Sequence, residues 1–249
     1  MFKYHGIKAK NMKIKLKKRP KNPIIIEGFP GFGLVSTIAT EFLLDHLQME
    51  KIGRIASEQI PAMIAVHEGK VVEPIGIFYN KKYNLVVVHA VSAPIGSEWK
   101  LANRIFELAK TLQAKEIISL EGIGSTKPAE ETKAFYHSSS KLKEKKLTKL
   151  AEPLKEGIIT GLTGILMLKA ARIPVSCIFA EAHSELPDSK AAAKVIGVLN
   201  SYLGFKLDPK PLIEQAEKLE QKLKQLLTDT KKMTKMTKEQ DKKKLSYVG

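Results

Sequence analysis

The sequence predicts an α/β domain with a mostly parallel sheet covered on both faces. Short apolar runs at residues 24–26, 117–120 and 175–179 are bounded by turn signals, as expected of strands buried on both sides. Stretches with helical periodicity alternate with them. Glycine-rich turns join the two kinds of segment, most visibly I-I-I-E-G-F-P-G-F-G-L-V-S-T at 24–37.

Taken in order, Met12, Ile14 and Leu16 alternate with Lys13, Lys15 and Lys17, a period-two strand whose lysines would blunt an exposed edge. Residues 34–47 read as a helix, and Ile60-Pro61 marks a break. Residues 71–78 and 85–91 read as two strands joined around Y-N-K-K-Y-N, an antiparallel hairpin beside or within the sheet. A helix is expected over 97–112, with Ser97 as its N-cap and Leu101, Ile105, Leu108 and Leu112 as its core stripe. The strand at 117–120 ends in E-G-I-G-S, residues 128–150 are polar without a clear pattern, and G-I-I-T-G-L-T-G at 157–164 opens an apolar helix. Asp188 or Ser189 caps a last core helix ending near Leu203.

The chain divides into four parts. A basic edge segment occupies 1–22, the α/β core 23–207, an amphipathic helix 208–228, and a lysine-rich tail with an apolar tip 229–249. In the helix, Leu212, Ala216, Leu219, Leu223 and Leu226 form a seam of fewer than three heptads, too short to stand free, so it must pack on the body or a partner. The 16 residues 229–244 have methionine as their only apolar type and read as a solvated leash. The chain then turns apolar again at L-S-Y-V-G.

The formal net charge of +16 points first to nucleic acid, but its placement argues otherwise. Residues 1–22 carry nine basic and no acidic groups, 141–155 six against two, and 206–249 twelve against seven. The remaining body holds 15 basic and 17 acidic groups. The excess is nearly all lysine, with four arginines in the chain, whereas base-reading and bidentate phosphate sites favour arginine. No nucleic-acid partner is expected. One cysteine, Cys177, excludes an internal disulfide and a thiolate metal cluster. No apolar run is long enough to span a bilayer and the first residues lack a signal-peptide core, so a soluble cytoplasmic chain is expected.

The glycine loop runs G-x-x-G-x-G from Gly28 to Gly33, not the G-x-G-x-x-G of a dinucleotide site. Pro30 removes an amide that would grip phosphate, and no P-loop lysine follows. The expected role is a tight strand-to-helix turn with close packing. Glu27, Glu121 and Glu181 each follow an apolar run; three carboxylates at one sheet edge can hold a cation or act as acid and base, but strand ends also simply meet solvent. His183, beside Glu181, Ser184 and Glu185, is the best catalytic candidate, although no nucleophile elbow accompanies it. His89 in V-V-V-H-A-V reads as a satisfied core histidine and Cys177 as a buried, inert thiol. Trp99 is either an interface anchor or a core residue. No catalytic, cofactor or metal site is assigned.

Four motifs occur in order: I-I-E-G-F-P-G-F-G-L-V-S at 25–36, E-Q-I-P-A at 58–62, S-L-E-G-I-G-S at 119–125 and G-L-T-G-I-L at 161–166. Together they resemble the PAC2 family, named for the second eukaryotic proteasome assembly chaperone, and its archaeal homologues in particular. The resemblance implies a three-layer α/β/α sandwich of nucleoside-phosphorylase-like type and homo-oligomers, including rings. It also implies ATP-independent chaperoning or scaffolding without catalysis. A hydrophobic–Tyr–any-residue terminus is used in that setting to dock between proteasome α-subunits, a C-terminal carboxylate capture. Leu245, Ser246, Tyr247, Val248 and Gly249 are the corresponding tip, with Tyr247 third from the end rather than second. The alternative is a nucleoside- or nucleotide-type enzyme of that fold, using the glycine loops and His183.

Overall fold

The computed structural model describes residues 12–57, 65–67, 70–93, 96–124, 132–183 and 186–214. The chain begins with β1 (Lys13–Leu16) and β2 (Ile24–Gly28), then a 3-10 turn (Phe32–Leu34) leads into α1 (Val35–His46). There follow β3 (Glu50–Ala56), β4 (Ala65–His67), β5 (Lys70–Val72), β6 (Ile75–Asn80), β7 (Leu85–Ala90) and α2 (Glu98–Leu112). Next come β8 (Glu116–Gly124), β9 (Ala134–Ser138), α3 (Lys141–Leu147), β10 (Glu152–Pro153), α4 (Gly161–Lys169), β11 (Val175–Ala182) and α5 (Ser189–Leu203).

Nine of these strands form one sheet in the order β1-β3-β6-β7-β2-β8-β11-β9-β10, with β4 and β5 paired separately. The sheet is mixed, which corrects the expectation of a mostly parallel one. Its centre, β7-β2-β8-β11, is parallel, but β1, β3 and β6 join by antiparallel pairing and β9 runs antiparallel to β11. The reason is connection length: β6 and β7 are joined by a four-residue turn, which permits only an antiparallel pair. Asn80 Oδ1 accepts from the Tyr83 amide at 2.9 Å, and Asn84 takes the left-handed conformation that asparagine tolerates. The expected strand at 71–78 is in fact two, because Glu73-Pro74 interrupts the run and Pro74 cannot donate to a ladder.

Alternation along the central strands separates two cores. Ile25, Val86, Ile117 and Phe179 face one side with α2 and α4; Ile26, Val87, Ile118 and Ile178 face the other with α1 and α5. All four leucine and isoleucine residues of the α2 stripe are buried, as its spacing requires. Ser97 precedes α2 without a side-chain cap bond, whereas the Asp188 carboxylate caps α5 by accepting from the Ala191 amide at 2.9 Å. Glu116 is fully buried and accepts from Lys143 Nζ at 2.6 Å, the Ser176 hydroxyl at 2.5 Å and the Tyr202 hydroxyl at 2.9 Å, tying β8 to α3, β11 and α5.

β1 stands at the sheet edge with its lysines exposed, as its alternation predicts. Residues 210–214 are helical, and Leu212 is buried in the core on the α1–α5 side. Leu219, Leu223 and Leu226 of the seam lie outside the described residues, as do the E-Q-I-P-A motif and the tip Leu245, Ser246, Tyr247, Val248 and Gly249. No helix among the described residues is long and apolar enough to cross a membrane.

Candidate functional site

The parallel strands β2 and β8 run side by side, with Glu27 in register with Ser119, and β8 continues beyond the end of β2 to Gly124. In such sheets the crevice beyond the carboxyl ends is where ligands bind. Here a cleft of about 450 Å³ opens there, lined by Glu27, Phe29, Phe32, Glu121 and Ile123 and by the segment entering α4 up to Thr163.

A chain of hydrogen bonds crosses the cleft floor. Glu27 Oε1 is bonded to the Ser119 hydroxyl, and Glu27 Oε2 accepts from the Phe29 amide at 3.3 Å. Ser119 Oγ lies 2.9 Å from Thr163 Oγ1, which donates to Glu121 Oε2 at 3.0 Å. Glu121 Oε1 accepts from the amides of Phe32 and Gly122, each at 3.2 Å. Three oxygen–oxygen contacts thus link two carboxyls through two hydroxyls. Ser119 donates to Glu27 and Thr163 to Glu121, so each hydroxyl hydrogen is spent on a carboxyl and the two hydroxyl oxygens lie side by side between them. Glu27 is the buried end of the chain: burial pushes its pKa up to about 8, the nearby Glu121 charge adds to this, and the bonds from Ser119 and Phe29 pull it part of the way back. Burial likewise pushes Glu121 up to about 7, against the bonds from Thr163, Gly122 and Phe32.

The glycine loop therefore packs against a carboxyl, and that carboxyl is the protein's own. A Cβ on Gly31 would stand 2.0 Å from Glu121 Oε1, so the missing side chain is what lets the carboxyl sit against the loop. A Cβ on Gly122 would stand 2.1 Å from the Phe32 carbonyl oxygen, which fixes the opposite wall. The Phe32 amide, which a phosphate would otherwise face at the entry to α1, is bonded to Glu121. This agrees with reading the glycines as a close-packed turn.

The other candidates distribute as follows. Glu27 and Glu121 come together, but Glu181 stands apart, its carboxylate accepting from the Lys133 amide at 3.3 Å. Among the described residues no group of three His, Cys, Asp or Glu side chains is placed to hold a metal ion. His183 is half-exposed and paired with Asp188 at 3.2 Å; it does not line the cleft, and Ser184 and Glu185 lie outside the described residues. His89 is buried with Nδ1 2.9 Å from the Thr40 hydroxyl, and burial lowers its pKa to about 4, so it is a neutral core histidine as its strand suggests.

Cys177 is buried, and burial pushes its thiol far up, with the Glu27 and Glu121 charges adding to the effect. The folded protein is expected to resist thiol reagents at neutral pH and to be labelled on unfolding; labelling of the native state at the rate of a free thiol would contradict the buried placement. Trp99 is 57% exposed, which decides against core packing.

Ser119 and Thr163 are the site residues that motif reading misses. Each is a single hydroxyl in an apolar run, I-I-S-L and G-L-T-G. The available signal is that a buried hydroxyl must find a partner.

The molecule is thus an α/β domain whose sheet-end cleft is floored by its own hydrogen-bonded side chains. The chain belongs to the PAC2 family, whose model matches residues 25–227. It is similar to Pyrococcus furiosus PbaA, an archaeal homologue of a proteasome-assembly chaperone, at 31% identity, covering 91% of this chain and 97% of that one with a TM-score of 0.78. P. furiosus PbaB, an archaeal proteasome activator, shares the fold at 23% identity over 87% of this chain and 99% of its own, TM-score 0.75. A protein of Methanocaldococcus jannaschii is 27% identical over 215 residues, 86% of this chain and 89% of the relative.

Proposed function

We propose that the chain is a proteasome-assembly-chaperone-like scaffold or adaptor of the cytoplasm, homo-oligomeric and ATP-independent, with no catalytic role. The likeness to PbaA along nearly the whole of both chains carries this reading. The helix pairs on the two faces of the sheet support the three-layer, nucleoside-phosphorylase-like arrangement. The packing of Glu121 against the glycine loop supports the absence of nucleotide chemistry, because the Phe32 amide at the entry to α1 is already bonded to that carboxyl.

In this reading the tip Leu245, Ser246, Tyr247, Val248 and Gly249 docks into a proteasome α-ring or a similarly built partner. Its leash keeps it near once the body is bound, and several tethered tips act with avidity. Deleting 245–249 is expected to leave folding and oligomer mass unchanged while abolishing binding to α-subunits, measured by surface plasmon resonance. Equal binding by the truncated chain would remove the tip from the account.

The cleft gives a second reading some support, since two acids of raised pKa at a strand end suit acid–base work on a small nucleoside-type molecule. A ligand at 100 times its Kd raises stability by about 2.7 kcal/mol. No such gain is expected with nucleosides, nucleotides or phosphate, and a gain of that size would favour the enzyme.

A further inference from the structure

At the end of the sheet opposite the cleft, α2 and α4 finish beside each other and leave a hollow of about 500 Å³. Its apolar floor is Phe106 of α2 and Ile173 of the segment entering β11, both packed into the core on this side of the sheet. Three cations stand around it: Lys110 in the last turn of α2, Lys169 in the last turn of α4, and Arg172 just beyond α4. The one carboxylate in the lining, Glu107, is bonded to Arg104. Lys110, Lys169 and Arg172 are in no ion pair among the described residues. A lysine in the last turn answers the negative end of its helix, which accounts for Lys110 and Lys169 singly but not for Arg172. Arginine is scarce in this chain, and Arg54 and Arg104 each hold a carboxylate, that of Glu73 and that of Glu107. Arg172 presents the same fork with no carboxylate among the described residues to fill it.

We propose that this hollow docks an acidic segment of another protein, with carboxylates on Arg172, Lys110 and Lys169 and an aliphatic side chain on Phe106 and Ile173. Charge complementarity decides the occupant. A guanidinium takes a carboxylate through two parallel hydrogen bonds, and the flanking ammonium groups take others as point charges. An aliphatic side chain seated on the floor drives water out from between the charges and strengthens each pair. The chain's own termini do not complement the site, with nine basic and no acidic groups at 1–22 and twelve against seven at 206–249. A nucleic acid fits it less well. Phe106 is 9% exposed, so the floor offers no aromatic face for a base to stack on. The body outside the basic segments holds 15 basic and 17 acidic groups, so no basic track leads a phosphate backbone onward. The inference goes beyond the docking of the tail in the proposed function and stands without it, because the surface lies on the core domain.

The test follows a fluorescein-labelled peptide, acetyl-Asp-Glu-Leu-Glu-Asp-amide, binding to the full-length protein by fluorescence anisotropy at physiological salt, where scattered surface lysines attract acids only weakly. Saturable binding is expected, weakened at least about tenfold by the double substitution Arg172→Ala and Lys169→Ala with an unchanged circular dichroism spectrum. The double substitution Lys13→Ala and Lys15→Ala removes the same charge from the exposed edge of β1 and is expected to leave affinity within about twofold of the parent. Replacing the leucine of the peptide by glycine is expected to weaken binding several-fold, since the floor then stays wet. Absence of saturable binding, or equal losses from the two double variants, overturns the docking site. Equal affinity for the glycine peptide overturns the role of the apolar floor. A labelled oligouridylate that binds more tightly than the peptide, and loses affinity with Arg172 and Lys169, overturns the acidic protein in favour of a nucleic acid.

Discussion

Gly31→Ala is expected to destabilise the protein by about 2–4 kcal/mol, lowering Tm by roughly 5–15 °C in a chain of this size. The new methyl group would stand 2.0 Å from Glu121 Oε1, too close for the carboxyl to stay. Once displaced, Glu121 loses the amides of Phe32 and Gly122 and the Thr163 hydroxyl, and those groups lose it. The effect must then be coupled to Glu121. In a double-mutant cycle with Glu121→Ala, the two costs should fall short of additivity by at least about 1 kcal/mol, read from denaturant midpoints. Strict additivity would show that the loop glycine does not exist to admit this carboxyl. Micromolar nucleotide binding that Gly31→Ala removes would show that the loop holds an external phosphate after all.

The second large effect is on pH dependence. Glu27 titrates near 8 in the folded protein against an ordinary carboxyl value of 4.5, so the folded state keeps a proton that the unfolded chain has already released. A group raised in this way makes stability fall as pH rises through the interval from 4.5 to 8, and its penalty is complete above 8. Glu121, raised to about 7, adds a fall over the lower part of the same interval. At about 1.4 kcal/mol for each pKa unit, the loss from Glu27 is on the order of a few kcal/mol. Thermal unfolding followed from pH 5 to 9 should show Tm declining. Glu27→Gln, which keeps the shape without the titration, should flatten that decline and exceed the parent above pH 8. A parent whose Tm is constant over this range, or a Gln variant that keeps the slope, would contradict the neutral buried carboxyl.

Much of this architecture is readable from periodicity because hydrophobic burial acts locally on the pattern. The runs at 24–26, 117–120 and 175–179 become the adjacent central strands β2, β8 and β11, and the α2 stripe is buried residue for residue. Where the pattern fails, a physical cause is visible. β3 escapes notice because the register shifts between Lys51 and Gly53, and a bulge of this kind breaks the period of two. β9 hides in a polar, lysine-rich stretch because its apolar part is only three residues long, Ala134 and Tyr136 buried in one core and Phe135 packed against the other. Strand direction depends on which neighbours pair, so the mixed sheet could not be read from the strands one at a time.

The site divides along the same line. Glu27 and Glu121 are recognisable as strand-end acids and Gly28, Gly31 and Gly33 as a turn, each from its immediate neighbours. That Glu121 fills the loop is a contact between residues 89 positions apart, and no local pattern announces it. Ser119 and Thr163 become meaningful only when β8 and α4 bring the two hydroxyls within 2.9 Å.

The central claim is that this PAC2-family chain works as a self-assembling adaptor for a proteasome-type partner. Native mass spectrometry of the full-length protein, alone and mixed with proteasome α-subunits, tests it most directly. The account predicts an integral multiple of the 27.7 kDa chain in the first sample and a further species containing both proteins in the second. A monomer that forms no complex with the α-subunits would contradict it.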